Sequence, residues 1–354
     1  MLASNGRYKE SIIALQSACQ EPNVAREAEF VAEINSTLEP IVVERICKPV
    51  LRRIPERVHP NTISLFNHLV CWVTALLAYL STRLSPLGRL LALSGASVGM
   101  FVSMVADCLD GMQARRTNRC SKLGQVLDHS LDAIHVPLVT FGITLALQLD
   151  PWAVAVVHVT NVMIYNGQLV LQHYTGRFVH PKTSGTDAEC GVSIGYVAMG
   201  LLFFFFDRRA PWVEVVVLVA ALLAILIQVK LNLFYYVRLR RHVVHHLPFV
   251  LICAGFAALY LVGSIDTMAF LLSIVFVSFR ISGGYVLHTV VGRRFGGFDV
   301  WVVVLIAAIA AAHLWLEPIR SAGVPVQAAL PYVGCLYMAG RGILDIVRNL
   351  PLLV

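Results

Sequence analysis

Ten apolar stretches follow one another along this 354-residue chain, and their length constrains the fold more than any other feature. A helix needs about 20 apolar residues to cross the hydrocarbon core of a bilayer. Because unsatisfied backbone groups are costly in lipid, such segments cross as helices. The stretches lie near residues 62–83, 87–110, 124–149, 151–172, 188–206, 211–231, 247–264, 267–290, 299–316 and 325–347. They predict an all-α polytopic membrane bundle of about ten transmembrane helices.

The composition supports the same class. Hydrophobic residues make up 57% of the chain and charged residues 14%, which excludes an ordinary soluble domain. In a soluble protein the formal net charge of +7 would suggest a nucleic-acid partner. In a membrane protein the same excess indicates contact with the membrane surface, and no nucleic-acid partner is predicted.

Two segments that flank apolar stretches mix apolar and basic residues. Residues 41–57 alternate Ile and Val with Arg and Lys, which predicts an interfacial amphipathic helix after a polar N-terminal region. Residues 232–246 (NLFYYVRLRRHVVHH) predict a second interfacial segment by the same reasoning.

The segment from residue 107 to residue 132 places four aspartates in otherwise apolar surroundings. Asp107 and Asp110 are spaced i, i+3 on one predicted helix, and Asp128 and Asp132 are spaced i, i+4 on the next. One isolated charge at the bilayer centre costs about 3 kcal/mol on insertion scales, so a cluster of four indicates function. Facing carboxylates one turn apart form an oxygen-rich cleft suited to one or two hard divalent cations.

The same segment resembles a known signature. It fits the pattern D-x2-D-G-x2-A-R-x8-G-x3-D-x3-D at all eight fixed positions and resembles that of the CDP-alcohol phosphotransferase (CDP-alcohol phosphatidyltransferase) family. The sequences DGMQARRT, SKLG and LDH are most similar to the choline/ethanolamine phosphotransferase branch, which reads DGKQARRT, SPLG and FDHGCD. PNTIS at 60–64 and QHYTGRFVHPKTSGTDAE at 172–189 extend the resemblance. Met112 and DHSLD depart from the branch, so the resemblance implies the reaction type and leaves the acceptor open.

The resemblance implies three regions. Residues 1–58 would be a polar N-terminal region with the interfacial helix, and residues 59–210 the catalytic core. Residues 211–354 would add C-terminal transmembrane helices.

The family's residue roles carry over to matching positions. Asp107, Asp110 and Asp128 would bind the metal, together with Asp132, and the cofactor would be Mg²⁺ or Mn²⁺ with two ions expected. Asp132 is the preferred general base. His129 is the alternative base, although a residue adjacent to Asp128 is rotated by about 100° around the helix and need not face the metals.

The remaining predicted contacts concern the CDP-alcohol. Arg115 would bind the donor phosphates as a fixed cation, and Gly111, Ala114 and Gly124 would leave room for the nucleotide. Arg116, Arg119 and Lys122 lie next to that pyrophosphate in this interpretation.

Two residues outside the signature also have implied roles. Asn61 would lie near the cytidine or the metals, with a plain helix-start role as the alternative. Glu189 would orient the head group or the acceptor, with a structural ion pair as the alternative.

The predicted reaction transfers phosphoethanolamine or phosphocholine from CDP-ethanolamine or CDP-choline to the hydroxyl of a lipid such as diacylglycerol, releasing CMP. Two alternatives use the same metal-dependent transfer. Ceramide could be the acceptor, or CDP-diacylglycerol could be the donor to a small alcohol. A membrane transporter is the non-enzyme alternative, but it predicts charges spread along a pore or between repeats. A homodimer is also implied by the resemblance.

The loop charges predict an orientation for this integral, multi-pass protein. With the N-terminus inside, twelve Lys and Arg residues lie in inner loops and five in outer loops, which favours an active site facing the cytosol. The inner residues are Arg115, Arg116, Arg119, Lys122, Arg177, Lys182, Lys230, Arg238, Arg240, Arg241, Arg293 and Arg294; the outer ones are Arg83, Arg89, Arg208, Arg209 and Arg320.

Overall fold

The computed structural model describes residues 38–176, 179, 185–207, 210–315 and 326–354. Every regular element in this part of the chain is helical. The N-terminal helix α1 joins Glu39–Val42, a π-helical turn Val43–Cys47, and Lys48–Leu51. Ten longer helices follow: α2 (Pro60–Ser81), α3 (Pro86–Arg116), α4 (Lys122–Leu147), α5 (Pro151–Thr175), α6 (Gly185–Phe205), α7 (Pro211–Leu239), α8 (Val243–Leu261), α9 (Thr267–Val290), α10 (Val300–Trp315) and α11 (Val326–Leu353).

The predicted polytopic membrane bundle is confirmed. The ten long helices correspond to the ten apolar stretches, and eight helical segments within the described ranges are long and apolar enough to cross a membrane. The two numbers differ for two reasons. Pro211–Leu261 runs as one segment of 51 residues, and Val300–His313 is shorter than a full span.

The predicted second interfacial segment at 232–246 is not a separate element, and its place at a membrane interface stays a prediction. Its first part completes α7, a 3₁₀ turn follows at Arg240–His242, and its last part begins α8. His246 is buried, and its Nδ1 lies 2.8 Å from Oδ1 of Asn166. The local mixture of basic and apolar residues therefore marks the junction of two helices.

Proline and short polar side chains set the helix starts. Proline occupies the first turn of α2, α3, α5 and α7, where its missing N–H costs nothing. Ser121 caps α4 by accepting a hydrogen bond from the Gly124 backbone N–H at 3.0 Å. This cap fixes the start of the helix that carries Asp128 and Asp132.

Helix α9 is the centre of the bundle, because 89% of the residues in its most apolar 18-residue stretch are buried. It packs against α4, α5, α8 and α11. Helix α4 also packs against α2, and α3 lies between α2 and α6. The second half of α3 and the first half of α4 therefore lie within a group of helices rather than at its lipid-facing surface.

Helix α1 packs on the half of α3 that carries the acidic segment. Val42 and Cys47 are buried in one cluster with Met104, Val105 and Leu109. The predicted helix is thus present, while its place at a membrane interface stays a prediction. Residues 1–37 of the predicted N-terminal region lie outside the described residues, as do the loop residues Arg177, Lys182, Arg208, Arg209 and Arg320.

Candidate active site

Three carboxylates converge between α3 and α4. Oxygen atoms of Asp107, Asp128 and Asp132 all lie within 4.8 Å of one another, and the three side chains are partly buried. Asn67 of α2 places its Nδ2 3.4 Å from Oδ1 of Asp107. Three carboxylates this close repel one another unless a cation lies between them. The oxygen-only donor set suits a hard divalent ion such as Mg²⁺ or Mn²⁺.

Asp110 lies beside this triad and has a partner of its own. It is buried, and its Oδ2 accepts a hydrogen bond of 2.6 Å from the Ser64 hydroxyl of α2. The sequence predicts four metal-binding aspartates, and the structure brings three of them into one cluster. Asp110 as a ligand stays a prediction.

His129 lies closer to the triad than a position adjacent to Asp128 suggests. Its Nδ1 is 3.6 Å from Oδ2 of Asp132 and 4.0 Å from Oδ2 of Asp128. The Tyr165 hydroxyl of α5 donates a hydrogen bond of 2.8 Å to the His129 carbonyl and so ties this turn of α4 to α5. Both candidate bases, Asp132 and His129, therefore share one site.

The predicted nucleotide-contact residues lie near the end of α3 and near the starts of α2 and α4. A Cβ atom added at Gly124 would lie 3.2 Å from Oδ1 of Asn61, so these residues are neighbours across α2 and α4. A Cβ atom at Gly111 would lie 3.3 Å from Nη1 of Arg115, whose guanidinium covers that turn of α3. Ala114, on the same helix, is partly exposed. The absence of side chains at both glycines leaves space beside Asn61 and Arg115.

Arg116 does not face the site, contrary to the sequence-based interpretation. Its guanidinium donates hydrogen bonds to the carbonyl of Leu51, the last residue of α1, and to the carbonyl of Ile54 in the loop that follows. Gln113 donates to the carbonyl of Val58 at 2.8 Å in the same loop. The last turn of α3 is thereby tied to the end of α1 and to the loop that follows it.

Glu189 of α6 reaches α4 at a residue that the sequence analysis missed. Its Oε1 lies 3.4 Å from Nε2 of His135, and both side chains are largely buried. His135 occupies position i+7 from Asp128 and i+3 from Asp132, so it shares their helical face. That spacing was the available signal, but a single His on an apolar helix does not stand out.

A small cavity connects the triad with α2. Its lining includes both α4 aspartates and three α2 residues that the sequence analysis also missed. The lining residues are Ser64, Asn67, His68, Asp128, Leu131, Asp132 and His135. The site therefore extends beyond the acidic segment to a second polar face.

With this geometry in place, comparison with known proteins gives a consistent assignment. Residues 57–226 match the family model described as CDP-alcohol phosphatidyltransferase. This part of the chain is a CDP-alcohol phosphatidyltransferase domain. The domain contains the aspartate triad, Asn61, His135 and Glu189.

Individual relatives of the CDP-alcohol phosphatidyltransferase domain cover less of the chain. Cholinephosphotransferase 1 of Rattus norvegicus is 32% identical over 101 residues, which is 28% of this chain and 25% of that protein. The Homo sapiens protein of the same name is 35% identical over 107 residues, 29% of this chain and 26% of its own. The chain thus aligns with about a quarter of these relatives.

A relative with a different name aligns over a longer range. CDP-diacylglycerol–serine O-phosphatidyltransferase of Encephalitozoon cuniculi is 31% identical over 180 residues, which is 49% of this chain and 46% of that protein. The name of this relative gives CDP-diacylglycerol and serine, whereas the name of the other two gives only the transfer of phosphocholine.

Proposed function

We propose that this protein transfers a phospho-alcohol from a CDP-alcohol to the hydroxyl group of a lipid and releases CMP. The convergence of Asp107, Asp128 and Asp132 within 4.8 Å, inside a CDP-alcohol phosphatidyltransferase domain, carries the proposal. The donor is CDP-choline or CDP-ethanolamine, and the acceptor is a neutral lipid such as diacylglycerol.

The reaction exchanges one phosphorus–oxygen bond for another. The acceptor hydroxyl oxygen attacks the phosphorus that carries the alcohol, and the bond from this phosphorus to the oxygen of CMP breaks. The hydroxyl proton passes to Asp132, or to His129 beside it. CMP leaves with the electron pair of the broken bond.

The residues of the site divide this work among them. Divalent cations, with two expected, would neutralise the charge that develops on the pyrophosphate as CMP leaves. The three triad carboxylates would hold them, with Asp110 held in place by Ser64. The guanidinium over Gly111 belongs to Arg115, which binds the donor phosphates.

Space and orientation come from neighbouring helices. Gly111, Ala114 and Gly124 leave room for the nucleotide. Asn61 lies against Gly124, near the expected position of the cytidine or the metals. Glu189 acts on the acceptor side through its contact with His135.

The site faces the cytosol in this proposal, because soluble CDP-alcohols are made there and the loop charges favour that side. The expected homodimer stays a prediction.

The assay is incubation of the purified protein with radiolabelled CDP-choline or CDP-ethanolamine and a panel of lipid acceptors. We expect CMP release and labelled lipid that both depend on added diacylglycerol or ceramide. Ceramide as the preferred acceptor would make the protein a ceramide phosphoethanolamine synthase in the ethanolamine case. Activity only with CDP-diacylglycerol and a polar alcohol would reject this donor.

That reversed polarity is the second candidate, and the Encephalitozoon relative favours it through its longer alignment. The two candidates use the same metal chemistry and differ in which substrate is the lipid. Serine with CDP-diacylglycerol therefore belongs in the panel. Transport, the non-enzyme alternative, predicts ion or solute flux in proteoliposomes and no CMP release in any of these incubations.

A further inference from the structure

Two imidazoles, His68 of α2 and His135 of α4, line the cavity next to the triad. Neither belongs to the acidic segment. His68 has no role in the chemistry described above, and His135 enters it only as the contact of Glu189. Each carries a ring nitrogen that is fully buried and has no hydrogen-bond partner in the described part of the chain, Nδ1 in His68 and Nε2 in His135. Buried polar groups are nearly always paired, so these two cavity-lining residues are candidates for contact with a bound molecule.

The hydrogen bonding of His68 sets the chemistry of its unpaired atom. The indole Nε1 of Trp72 lies 3.0 Å from Nε2 of His68. Because an indole N–H only donates, Nε2 accepts, and neutral His68 carries its proton on Nδ1. The cavity therefore contains a buried N–H donor that is held in place by Trp72.

His135 offers a second donor. Its Nε2 lies 3.4 Å from Oε1 of Glu189 but is not aligned with it as a hydrogen bond. The adjacent carboxylate favours the tautomer with the proton on Nε2. Two N–H donors thus line a cavity that also contains Asp128 and Asp132.

The outer face of α2 next to His68 is apolar and exposed. Leu65, Phe66 and Leu69 are 57%, 51% and 62% exposed. Around a helix, Leu65 and Leu69 are rotated by about 60° and 100° from His68. Acyl chains on this lipid-facing ridge would bring a polar end group to the imidazoles.

We propose that His68 and His135 bind the polar end of the neutral acceptor lipid, an inference that rests on the proposed function. His68 Nδ1–H donates to the acceptor hydroxyl oxygen, and His135 Nε2–H donates to the neighbouring acyl carbonyl. Diacylglycerol and ceramide both carry a hydroxyl group near an acyl carbonyl. A hydroxyl that accepts from His68 keeps its own hydrogen free for the base at Asp132 or His129.

Isosteric amides test the donor on His68. Asparagine places an N–H donor near the position of Nδ1, and glutamine places one near Nε2. We expect His68→Leu and His68→Gln to raise the KM for dioleoylglycerol by about tenfold, the upper worth of one net hydrogen bond. His68→Asn should stay close to wild type. The KM for CDP-choline or CDP-ethanolamine should not change in any of the three variants.

A deoxy analogue tests the same contact without turnover. In 1,2-dioleoyl-propanediol the free hydroxyl of dioleoylglycerol is replaced by hydrogen, so the analogue cannot react. As an inhibitor, the analogue should bind wild-type protein more weakly than dioleoylglycerol does. In His68→Leu, the analogue and dioleoylglycerol should bind about equally well. His135→Leu should raise the KM for dioleoylglycerol in the same way, with thermal unfolding as the control for folding.

The outcomes separate the two proposals. A raised KM for the CDP-alcohol with an unchanged KM for dioleoylglycerol would place the imidazoles at the donor and overturn this inference. Equal behaviour of His68→Asn and His68→Gln would also overturn it. Wild-type protein that releases no CMP with dioleoylglycerol or ceramide would reject the proposed function itself.

Discussion

Nδ1 of His129 lies 3.6 Å from Oδ2 of Asp132, one turn away on the same helix. A proton taken from the acceptor hydroxyl is therefore within reach of both groups. Asp132 is the preferred base, so Asp132→Asn should keep CDP-alcohol binding and lose turnover by about 10²–10⁴-fold. Binding of labelled CDP-choline and initial rates of CMP release measure the two effects separately.

His129→Ala is the companion variant that distinguishes the bases. If His129 only orients Asp132, this variant should keep more activity than Asp132→Asn. An inactive His129→Ala beside a substantially active Asp132→Asn would invert the assignment.

The triad makes metal dependence a direct prediction. Asp107→Asn and Asp128→Asn should each abolish transfer, because each removes an anionic ligand from a cluster whose oxygens lie within 4.8 Å. EDTA should abolish transfer reversibly, and added Mg²⁺ or Mn²⁺ should restore it. As a control for folding, the metal-free variants should unfold at the same temperature as metal-free wild type. Full CMP release in excess EDTA would reject a metal-dependent reaction.

The hydrogen bond from Ser64 to Asp110 predicts a graded effect. Hydrogen bonds to charged groups contribute about 1.5–3 kcal/mol, so Ser64→Ala should lower kcat/KM by about 10- to 100-fold if all of it acts on the transition state. Ser64→Thr keeps the hydroxyl and is the matched control. Titration with Mg²⁺ should show a higher half-saturating concentration for Ser64→Ala alone. If both variants have the same half-saturating Mg²⁺ concentration as wild type, the bond contributes only to folding.

Arg116 links the end of α3 to the end of α1 at the Leu51 carbonyl and to the following loop at the Ile54 carbonyl. Arg116→Ala removes the guanidinium bonds to both carbonyls and should loosen the loop, where Arg52 and Arg53 are exposed. Brief tryptic digestion of the folded protein should then cut after these arginines faster than in wild type. Gln113→Ala should act in the same direction, because Gln113 binds the same loop. Equal cleavage rates in all three proteins would contradict this role.

A buried ion-pair network outside the triad predicts an effect on stability. Arg280 of α9 lies 2.9 Å from Asp299 through Nε and 3.1 Å from Asp345 through Nη1. Removing one partner of a buried pair typically costs about 3–5 kcal/mol, so Arg280→Met should lower the Tm in detergent. The triple variant with Asp299→Asn and Asp345→Asn should regain part of the loss. A Tm of Arg280→Met equal to that of wild type would contradict the prediction.

The hydropathy of the chain located the long helices and the acidic segment. Apolar length and helical spacing are local properties, so they can be read from residues such as Asp128 and Asp132 directly. The contacts between helices could not be read this way. Ser64 meets Asp110 across 46 positions, and Glu189 meets His135 across two helices, because rotation about each axis depends on packing with every neighbour.

The same reason explains the errors. Arg116 follows Arg115 in the signature, yet packing of α1 on α3 directs it to loop carbonyls instead of the donor. The burial of His246, which the basic segment 232–246 does not predict, follows from how α8 packs on α5. The spacing of the aspartates in the acidic segment predicts the metal site. Only the assembled bundle adds His68 of α2, since helix packing alone brings α2 to α4.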